Sequence, residues 1–363
     1  MKYRGVVYDV GLNFNNSNGY SVDPFDPALV GYDMRAIAEN LHANAVRIEG
    51  EEITRLTTAA RTAASNGLTV FFNPWKMHAG FEDTLAYLVE AAKAAEELRK
   101  DGMELTFVAG CEYSIFSKGV FPGETFHERA MWLGSQIQSM GGHMSADMPL
   151  SQALRDKSVV LDKFLRSFAE AIRTHFSGPL TYSAGTWEVV DWDIFDIVGI
   201  DYYRRGENQQ QYISGLDRYR LGPGKPLAVM EVGCCAYKGA AQRGDGGFVL
   251  LQGTNPDGTG IFEGGVVPTR NESEQADYLS TQLGLLASAD VDAVFAFVFS
   301  FPCMPAGEGA RDLDMMSFSL VKQVPAEKRE RKDAQGLPPW EPKEAFHRVA
   351  ECFRRLSTDG RQE

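Results

Sequence analysis

The sequence contains eight short apolar segments, and predicted helices separate most of them. The strands are predicted at residues 3–10, 44–49, 68–75, 104–110, 179–185, 195–203, 227–231 and 291–300. Helical spacing of apolar residues predicts helices at residues 27–41, 52–66, 81–100, 159–176, 207–220, 272–289 and 343–356. Buried strands that alternate with helices form parallel sheets, and eight such units can close on themselves. We therefore predict an α/β chain that folds as a single (β/α)8 TIM barrel.

An open doubly wound sheet is the main alternative fold, and the first predicted turn argues against it. In that fold the first strand usually leads into a turn with three spaced glycines. Here the strand leads into Gly11-Leu-Asn-Phe-Asn, which lacks that spacing. Nothing in the 363 residues marks a linker, a repeat or a second core. Residues 1–363 are therefore predicted to form one domain, and no cofactor is predicted.

Two long segments interrupt the alternation of strands and helices. Residues 114–156 follow the fourth strand and contain a predicted helix at 126–140, which ends at Gly141-Gly142. Residues 237–268 follow the seventh strand and are rich in Gly and Asp. Loops at strand ends often carry binding residues. We predict that both segments are insertions over the strand ends, where they would roof the pocket and favour a small or terminal substrate.

Charge and cysteine content restrict the partners and the compartment. The net charge of −13 argues against nucleic acid or an anionic membrane surface as the main partner. No apolar run reaches membrane-spanning length, and the first residues lead into a strand without a cleavable apolar region. Five cysteines, two of them adjacent, do not resemble a disulfide framework. These features predict a cytoplasmic location; the oligomeric state is left open.

The seventh predicted strand ends at a carboxylate, Glu231. The preceding residues Leu227, Ala, Val and Met230 form an apolar run, so a Glu at its end is expected to be buried. A lone buried carboxylate is costly, and such groups often mark functional sites. One interpretation is a structural ion pair at a strand end. The other is a catalytic carboxylate at the mouth of a barrel, which predicts a second carboxylate at the end of another strand.

A second carboxylate, Glu112, follows the fourth predicted strand. Active sites of (β/α)8 barrels lie at the C-terminal ends of the strands. The candidates at those positions are Asp9, Arg47, Glu49, Trp75, Cys111, Glu112, Tyr182, Asp201, Tyr203, Glu231 and Ser300. Carboxylates exchange protons and attack anomeric carbons, while aromatic rings stack on sugar faces. The set therefore predicts a site for a small-molecule carbohydrate or glycoside.

These strand ends resemble those of the retaining glycoside hydrolases of clan A. In that superfamily the acid/base Glu follows strand four and the nucleophile Glu follows strand seven, which assigns the roles to Glu112 and Glu231. Asn44-Ala-Val-Arg47 resembles the segment whose Arg steadies the nucleophile, and Asp201-Tyr-Tyr203 resembles the segment whose Tyr bonds to it. Residues 312–321 also resemble a glycosidase segment. More loosely, the chain resembles uncharacterised bacterial proteins labelled abortive infection proteins.

The sequence departs from the clan A pattern at two positions. Cys111 stands directly before Glu112, where the family usually has an Asn that bonds to the sugar 2-hydroxyl. Phe299-Ser300-Phe301 stands where a strand-eight Trp is common. The resemblance implies double displacement, with Glu231 attacking the anomeric carbon and Glu112 serving as acid and then base. This mechanism requires the two carboxyl groups to lie about 5–5.5 Å apart.

Two other functions remain open from the residues. Cys111, Cys234 and Cys303 all follow predicted strand ends, where they could bind a soft metal or supply a nucleophilic thiolate. No CxxC or His-rich spacing supports a metal, and buried cysteines commonly serve as small apolar residues, so no metal is predicted. The third possibility is a catalytically silent barrel that binds a sugar or a partner, and Cys111 is the feature that favours it.

Overall fold

Eight parallel strands form a closed barrel in the computed structural model, which describes residues 1–14, 19–142, 150–220, 224–324 and 339–359. Each strand pairs with the next along the chain, and the last pairs with the first. The barrel strands are β1 (Tyr3–Asp9), β2 (Ala45–Gly50), β3 (Thr69–Pro74), β4 (Leu105–Cys111), β5 (Leu180–Gly185), β6 (Val198–Asp201), β7 (Leu227–Val232) and β8 (Ala293–Ala296). The predicted single (β/α)8 barrel is confirmed.

Helices connect the barrel strands. They are α1 (Pro27–Arg35), α2 (Ile53–Ser65), α3 (Phe81–Lys100), α4 (Tyr113–Phe116), α5 (Phe126–Ser139), α6 (Gln152–Arg173), α7 (Gln209–Ser214), α8 (Glu272–Ser288) and α9 (Glu344–Asp359). α6 begins seven residues before its predicted start, because the Ser151 side chain accepts a bond from the Leu154 N–H and caps the helix there. The predicted helix at 207–220 is split into α7 and a 3₁₀ segment, Gly215–Tyr219.

The segments that follow β4 and β7 contain their own structure. α4 and α5 lie between β4 and α6, and residues 143–149 fall outside the described part of the chain. After β7, the strands Leu251–Thr254 and Gly260–Phe262 form an antiparallel hairpin. The prediction that both segments roof the pocket stays a prediction. Among the described residues, no helix is both long enough and apolar enough to span a membrane.

The barrel interior is packed with apolar side chains below its C-terminal mouth. Val7, Phe71, Val108, Met230 and Phe295 belong to one fully buried cluster on the inner faces of the strands. The Phe71 and Phe295 rings lie 4.7 Å apart between centroids. Because apolar side chains fill the lower part of the barrel, polar side chains of the inner face can lie together only above this layer, at the C-terminal mouth.

A buried carboxyl group attaches α1 to the barrel wall. Asp33 accepts hydrogen bonds from the Tyr8 hydroxyl and the Trp340 indole N–H, each at 2.8 Å. Burial raises the pKa of Asp33 from 3.8 to about 7, although both hydrogen bonds oppose the rise. The folded protein therefore retains this proton at pH values where the unfolded chain has lost it.

Asp33→Asn is expected to change how stability depends on pH. Because the folded pKa is the higher one, the contribution of Asp33 to stability declines as pH rises from about 4 to about 7. The decline should amount to about 4 kcal/mol at most, from 1.36 kcal/mol per pKa unit. Urea unfolding of both proteins at several pH values tests this. Parallel curves for the two proteins would contradict the assignment.

Candidate active site

Glu231 is held at the mouth of the barrel by two donors. Its Oε1 accepts a hydrogen bond from Arg47 Nη1 at 2.9 Å, and its Oε2 accepts one from the Tyr203 hydroxyl at 2.7 Å. The side chain is largely buried, with 7% of the residue exposed. Each of its two oxygens therefore has a hydrogen-bond donor, one charged and one neutral, which fixes the orientation of the carboxylate.

Arg47 links Glu231 to the ends of β2 and β3. Its guanidinium is fully buried, and Nε donates to Asn73 Oδ1 at 2.8 Å. Nη1 also donates to the Met230 carbonyl at 3.0 Å, and Nη2 lies 3.3 Å from Glu49 Oε2. These contacts fix the plane of the guanidinium, so the direction of its bond to Glu231 is fixed as well.

Cys111, Asp201 and Ser183 form a second polar group beside Glu231. The Cys111 sulfur lies 3.5 Å from Asp201 Oδ2 and 3.6 Å from Glu231 Oε1. The Ser183 hydroxyl donates to Asp201 Oδ1 at 2.6 Å. Burial, together with the charges of Asp201 and Glu231, raises the pKa of the Cys111 thiol well above its usual value. The sulfur is therefore held as a neutral thiol against two carboxyl groups.

Irregular strand pairing lets these residues share one side of the barrel. β4 has one extra residue relative to β5 between Val108 and Cys111, and β7 has one extra residue relative to β6 at Met230. Successive side chains of a regular strand point to opposite faces, and the Met230 side chain lies on the inner face. Under strict alternation Glu231 would therefore point to the outer face. The extra residue changes that direction, as β-bulges beside active sites commonly do.

Glu112 adopts a backbone conformation that is uncommon for its residue type. It lies directly after β4 with φ 42° and ψ 47°, in the left-handed region, and its N–H donates to the Ser183 carbonyl at 2.9 Å. A non-glycine residue in a sparsely populated region costs about 1–3 kcal/mol, and such residues cluster at functional sites. Glu112 as a whole residue is half-buried, whereas its neighbours Cys111 and Tyr113 are fully buried.

Several carboxyl groups at the mouth have raised pKa values, which favour their neutral, protonated form. Burial raises the pKa of Glu112 well above its usual value, and the charges of Asp201 and Glu231 raise it further. Burial likewise raises the pKa values of Asp201 and Glu49, and each is also raised by the charge of Glu231. Burial raises the pKa of Asp9 to about 6. The arrangement places Glu231, which is bonded to Arg47, among carboxyl groups whose pKa values are raised.

Most of the predicted site residues lie at the mouth of the barrel. Arg47, Glu49, Cys111, Asp201 and Tyr203 are linked to Glu231 directly or through Arg47. Asp9 is the register partner of Glu49 across β1 and β2, and its Oδ1 accepts from the Gly11 N–H at 2.7 Å. Their roles in binding and catalysis remain predictions.

Three other predicted residues are not in contact with this group. The Tyr182 hydroxyl bonds to Glu188 and accepts from the Tyr113 N–H at 2.7 Å, on the outer side of β5, so its predicted role in the site stays a prediction. The physical reason is strand alternation, which directs its neighbour Ser183 inward. Trp75 is 3% exposed and packs edge-on against Phe116 at 4.8 Å. The Ser300 hydroxyl accepts from Gln323 at 2.6 Å.

Sequence reasoning missed three residues around the site. Asn73 orients Arg47, Ser183 bonds to Asp201, and Glu188 accepts from the Ser114 N–H at 3.1 Å, two residues after Glu112. Alternation along β3 and β5 would have identified Asn73 and Ser183 as inward-facing polar residues. Nothing in the pattern indicated Glu188, because it lies in a loop and acts through contacts distant in sequence.

The three cysteines that follow predicted strand ends do not meet. Cys234 is buried elsewhere, and Cys303 is exposed. Among the described residues, one group has three potential metal-binding side chains whose ligand atoms lie within 4.8 Å of one another, and it consists of Cys111, Asp201 and Glu231. The raised pKa of Cys111, which results from burial, works against a nucleophilic thiolate.

Comparison with solved structures identifies similar folds. No protein-family model and no curated protein matches the chain. A GH113 β-1,4-mannanase structure is 15% identical with a TM-score of 0.55, covering 98% of this chain and 99% of that one. The GH113 β-mannanase of Alicyclobacillus acidocaldarius, in a complex with ManMIm, is 16% identical with a TM-score of 0.55 and 98% coverage of both chains.

A GH5_18 structure from Streptomyces cattleya, in complex with GlcNAc, is also similar. It is 13% identical with a TM-score of 0.53, covering 99% of this chain and 82% of that chain. In fold, the chain resembles the clan A glycoside hydrolases. The resemblance first inferred from the strand ends is therefore confirmed at the level of fold.

Proposed function

We propose that the protein is a retaining glycoside hydrolase that cleaves an O-glycosidic bond. The observation that carries the proposal is the hydrogen bonding of Glu231 by Arg47 and Tyr203 at the end of β7. Glu231 would be the nucleophile and Glu112 the acid/base. The fold shared with glycoside hydrolases adds support, since their chains align with this one over nearly its full length.

In the first half-reaction, Glu231 attacks the anomeric carbon while Glu112 protonates the departing oxygen. Arg47 and Tyr203 orient Glu231 through their hydrogen bonds, and burial keeps the pKa of Glu112 high enough for it to carry the proton. The products of this step are a glycosyl ester on Glu231 and the free alcohol of the leaving group.

In the second half-reaction, Glu112 acts as the base. Having given up its proton, it removes one from a water molecule that attacks the anomeric carbon and releases Glu231. Two displacements return the sugar with its original anomeric configuration. The net result is hydrolysis, with Glu112 and Glu231 returned to their starting protonation states.

Covalent trapping tests the proposal most directly. An aryl glycoside with fluorine at C2 and a good leaving group forms the glycosyl ester quickly and hydrolyses it slowly. A screen of such compounds with different sugars, followed by peptide mass analysis, should locate the added sugar on Glu231. Turnover of unmodified aryl glycosides without an adduct on Glu231 would contradict the assignment.

Tyr203→Phe is expected to reduce kcat/KM about 10- to 100-fold. It removes the 2.7 Å hydrogen bond to Glu231, and a bond to a charged group contributes about 1.5–3 kcal/mol. Tyr202→Phe is the matched control, because that hydroxyl donates to the Tyr212 carbonyl and does not contact Glu231. Equal losses in the two variants would indicate a general packing effect.

A metal-dependent reaction is the second candidate, and the Cys111, Asp201 and Glu231 group is the observation that favours it. Elemental analysis of the purified protein distinguishes the two functions. A stoichiometric metal ion that Cys111→Ser removes would support the second candidate. A catalytically silent barrel differs from both of these enzymes, since it would bind sugars but would give neither turnover nor a covalent adduct on Glu231.

A further inference from the structure

A line of aromatic rings runs from Glu231 to the protein surface. The Tyr203 hydroxyl bonds to Glu231, and the Tyr203 ring centroid lies 6.1 Å from that of Phe318. Phe318 in turn lies 6.3 Å from Phe248 and 5.8 Å from Phe297. Tyr203 is buried, Phe318 is half-buried and Phe248 is 42% exposed, so the line passes from the site to solvent.

Phe248 lies in a segment with several exposed apolar side chains. Eight large apolar residues are prominently exposed in the described part of the chain, and five of them come from the segment after β7. The five are Phe248, Val249, Ile261, Val266 and Val267. The antiparallel hairpin pairs Leu251 with Phe262 and Gly253 with Ile261, which brings Ile261 close in space to the residues that follow Phe248 and Val249. Exposed apolar patches that exceed the scattered apolar residues of an ordinary surface mark sites of interaction or ligand binding.

The same segment is bonded to the chain that follows Tyr203. Arg205, two residues after Tyr203, forms two bonds of 2.6 and 2.7 Å with Asp245. Asp245 and Phe248 lie in one 3₁₀ segment, Gly244–Leu250. The negative charge of Asp245 also contributes to the raised pKa of Glu112, after burial and nearer carboxylates. The aromatic line thus begins at Glu231, beside the proposed catalytic carboxyl groups.

We propose that the Tyr203–Phe318–Phe248 line and the apolar side chains around Phe248 bind an apolar aglycone, an alkyl or aryl group. The proposal rests on the proposed glycosidase function and names its substrate class. A second sugar would require hydrogen-bond partners for its hydroxyl groups. Val249, Ile261, Val266 and Val267 offer none from their side chains, whereas each buried methylene of a hydrocarbon gains affinity.

The test compares glycosides that differ only in the aglycone. With the sugar found in the aryl-glycoside screen, we compare the glycosyl fluoride, the methyl and octyl glycosides, and a disaccharide. The expected result is a KM at least about tenfold lower for octyl than for methyl, since seven more methylenes enter an apolar surface. Phe248→Ser should raise the octyl KM about tenfold and change kcat/KM for the fluoride much less.

Val249→Ser is a second variant, and Val189→Ser is the control. Val249 and Val189 are 58% and 46% exposed, so neither substitution should unfold the protein. Val249→Ser should weaken octyl binding, whereas Val189→Ser, outside the segment after β7, should not. Equal KM values for methyl and octyl would overturn the proposal. So would a loss in Phe248→Ser that is as large for the disaccharide as for the octyl glycoside.

Calorimetry on Glu231→Gln separates this proposal from the proposed function. Octyl glycoside should bind that variant, and adding Phe248→Ser should weaken the binding about tenfold, whether or not the wild-type protein hydrolyses glycosides. Hydrolysis of the fluoride without octyl binding would overturn the aglycone site alone. Binding of phospholipid vesicles through Phe248 without any effect of aglycone length would identify a membrane-contacting surface and overturn the proposal.

Discussion

Glu231→Gln lowers kcat by about 10⁴–10⁶-fold if Glu231 is the nucleophile, comparable to the loss of a nucleophile in other covalent catalysts. The amide keeps the shape of the side chain and can still accept a bond from Arg47 or Tyr203. It cannot form the glycosyl ester, however, so the two-step route is closed. The measurement is the turnover of an activated aryl glycoside, with melting temperature as the check on folding.

Glu49→Gln is the matched control for this prediction. Both carboxyl groups are buried and both face Arg47, at 2.9 Å for Glu231 and 3.3 Å for Glu49. If the loss came only from disturbing Arg47, the two variants would behave alike. We expect the loss in Glu49→Gln to be at most about 10²-fold, of the size that one buried charged contact contributes.

Azide distinguishes a nucleophile from a merely structural carboxylate. In Glu231→Ala, azide can enter the space left by the carboxylate and attack the anomeric carbon from the same face. The product should be a glycosyl azide of inverted configuration, with turnover partly restored. If azide restores nothing in Glu231→Ala and the Gln variant keeps wild-type turnover, Glu231 is not the nucleophile.

Glu112→Ala should cause a loss that depends on the leaving group. General acid catalysis contributes about 10²–10⁴-fold, and a poor leaving group such as an alkoxide depends on it most. A dinitrophenyl glycoside departs without a proton, so its first step should be nearly unaffected. The measurement is kcat/KM for aryl glycosides that span a wide range of leaving-group pKa, compared between variant and wild type.

Azide gives the opposite stereochemical result in Glu112→Ala. Without the base, the glycosyl ester on Glu231 accumulates, and azide attacks it to give a product of retained configuration. The Glu231→Ala and Glu112→Ala variants thus identify the two roles by the configuration of their products. A loss in Glu112→Ala that is the same for every leaving group would show that Glu112 positions the substrate and does not protonate it.

The sequence by itself determined the barrel and its two carboxylates. The predicted strands are short, apolar and bounded by turn residues, and the predicted helices show apolar residues at helical spacing. The order of strands and helices in the barrel could therefore be predicted from local sequence patterns. Glu112 and Glu231 were found because strand ends in a parallel barrel meet at one mouth, which makes position along the chain informative about position in space.

Only the tertiary structure decided which side chains meet at that mouth. The Cys111 thiol lies against Asp201 and Glu231, and Ser183 completes that group, because β4 and β7 each carry an extra residue. One such residue reverses the face of every side chain that follows it, so simple alternation cannot predict these contacts. Tyr182, by contrast, follows strict alternation, and its side chain points to the outer side of the barrel, away from the mouth. Strand content is a local property, whereas register depends on the neighbouring strand.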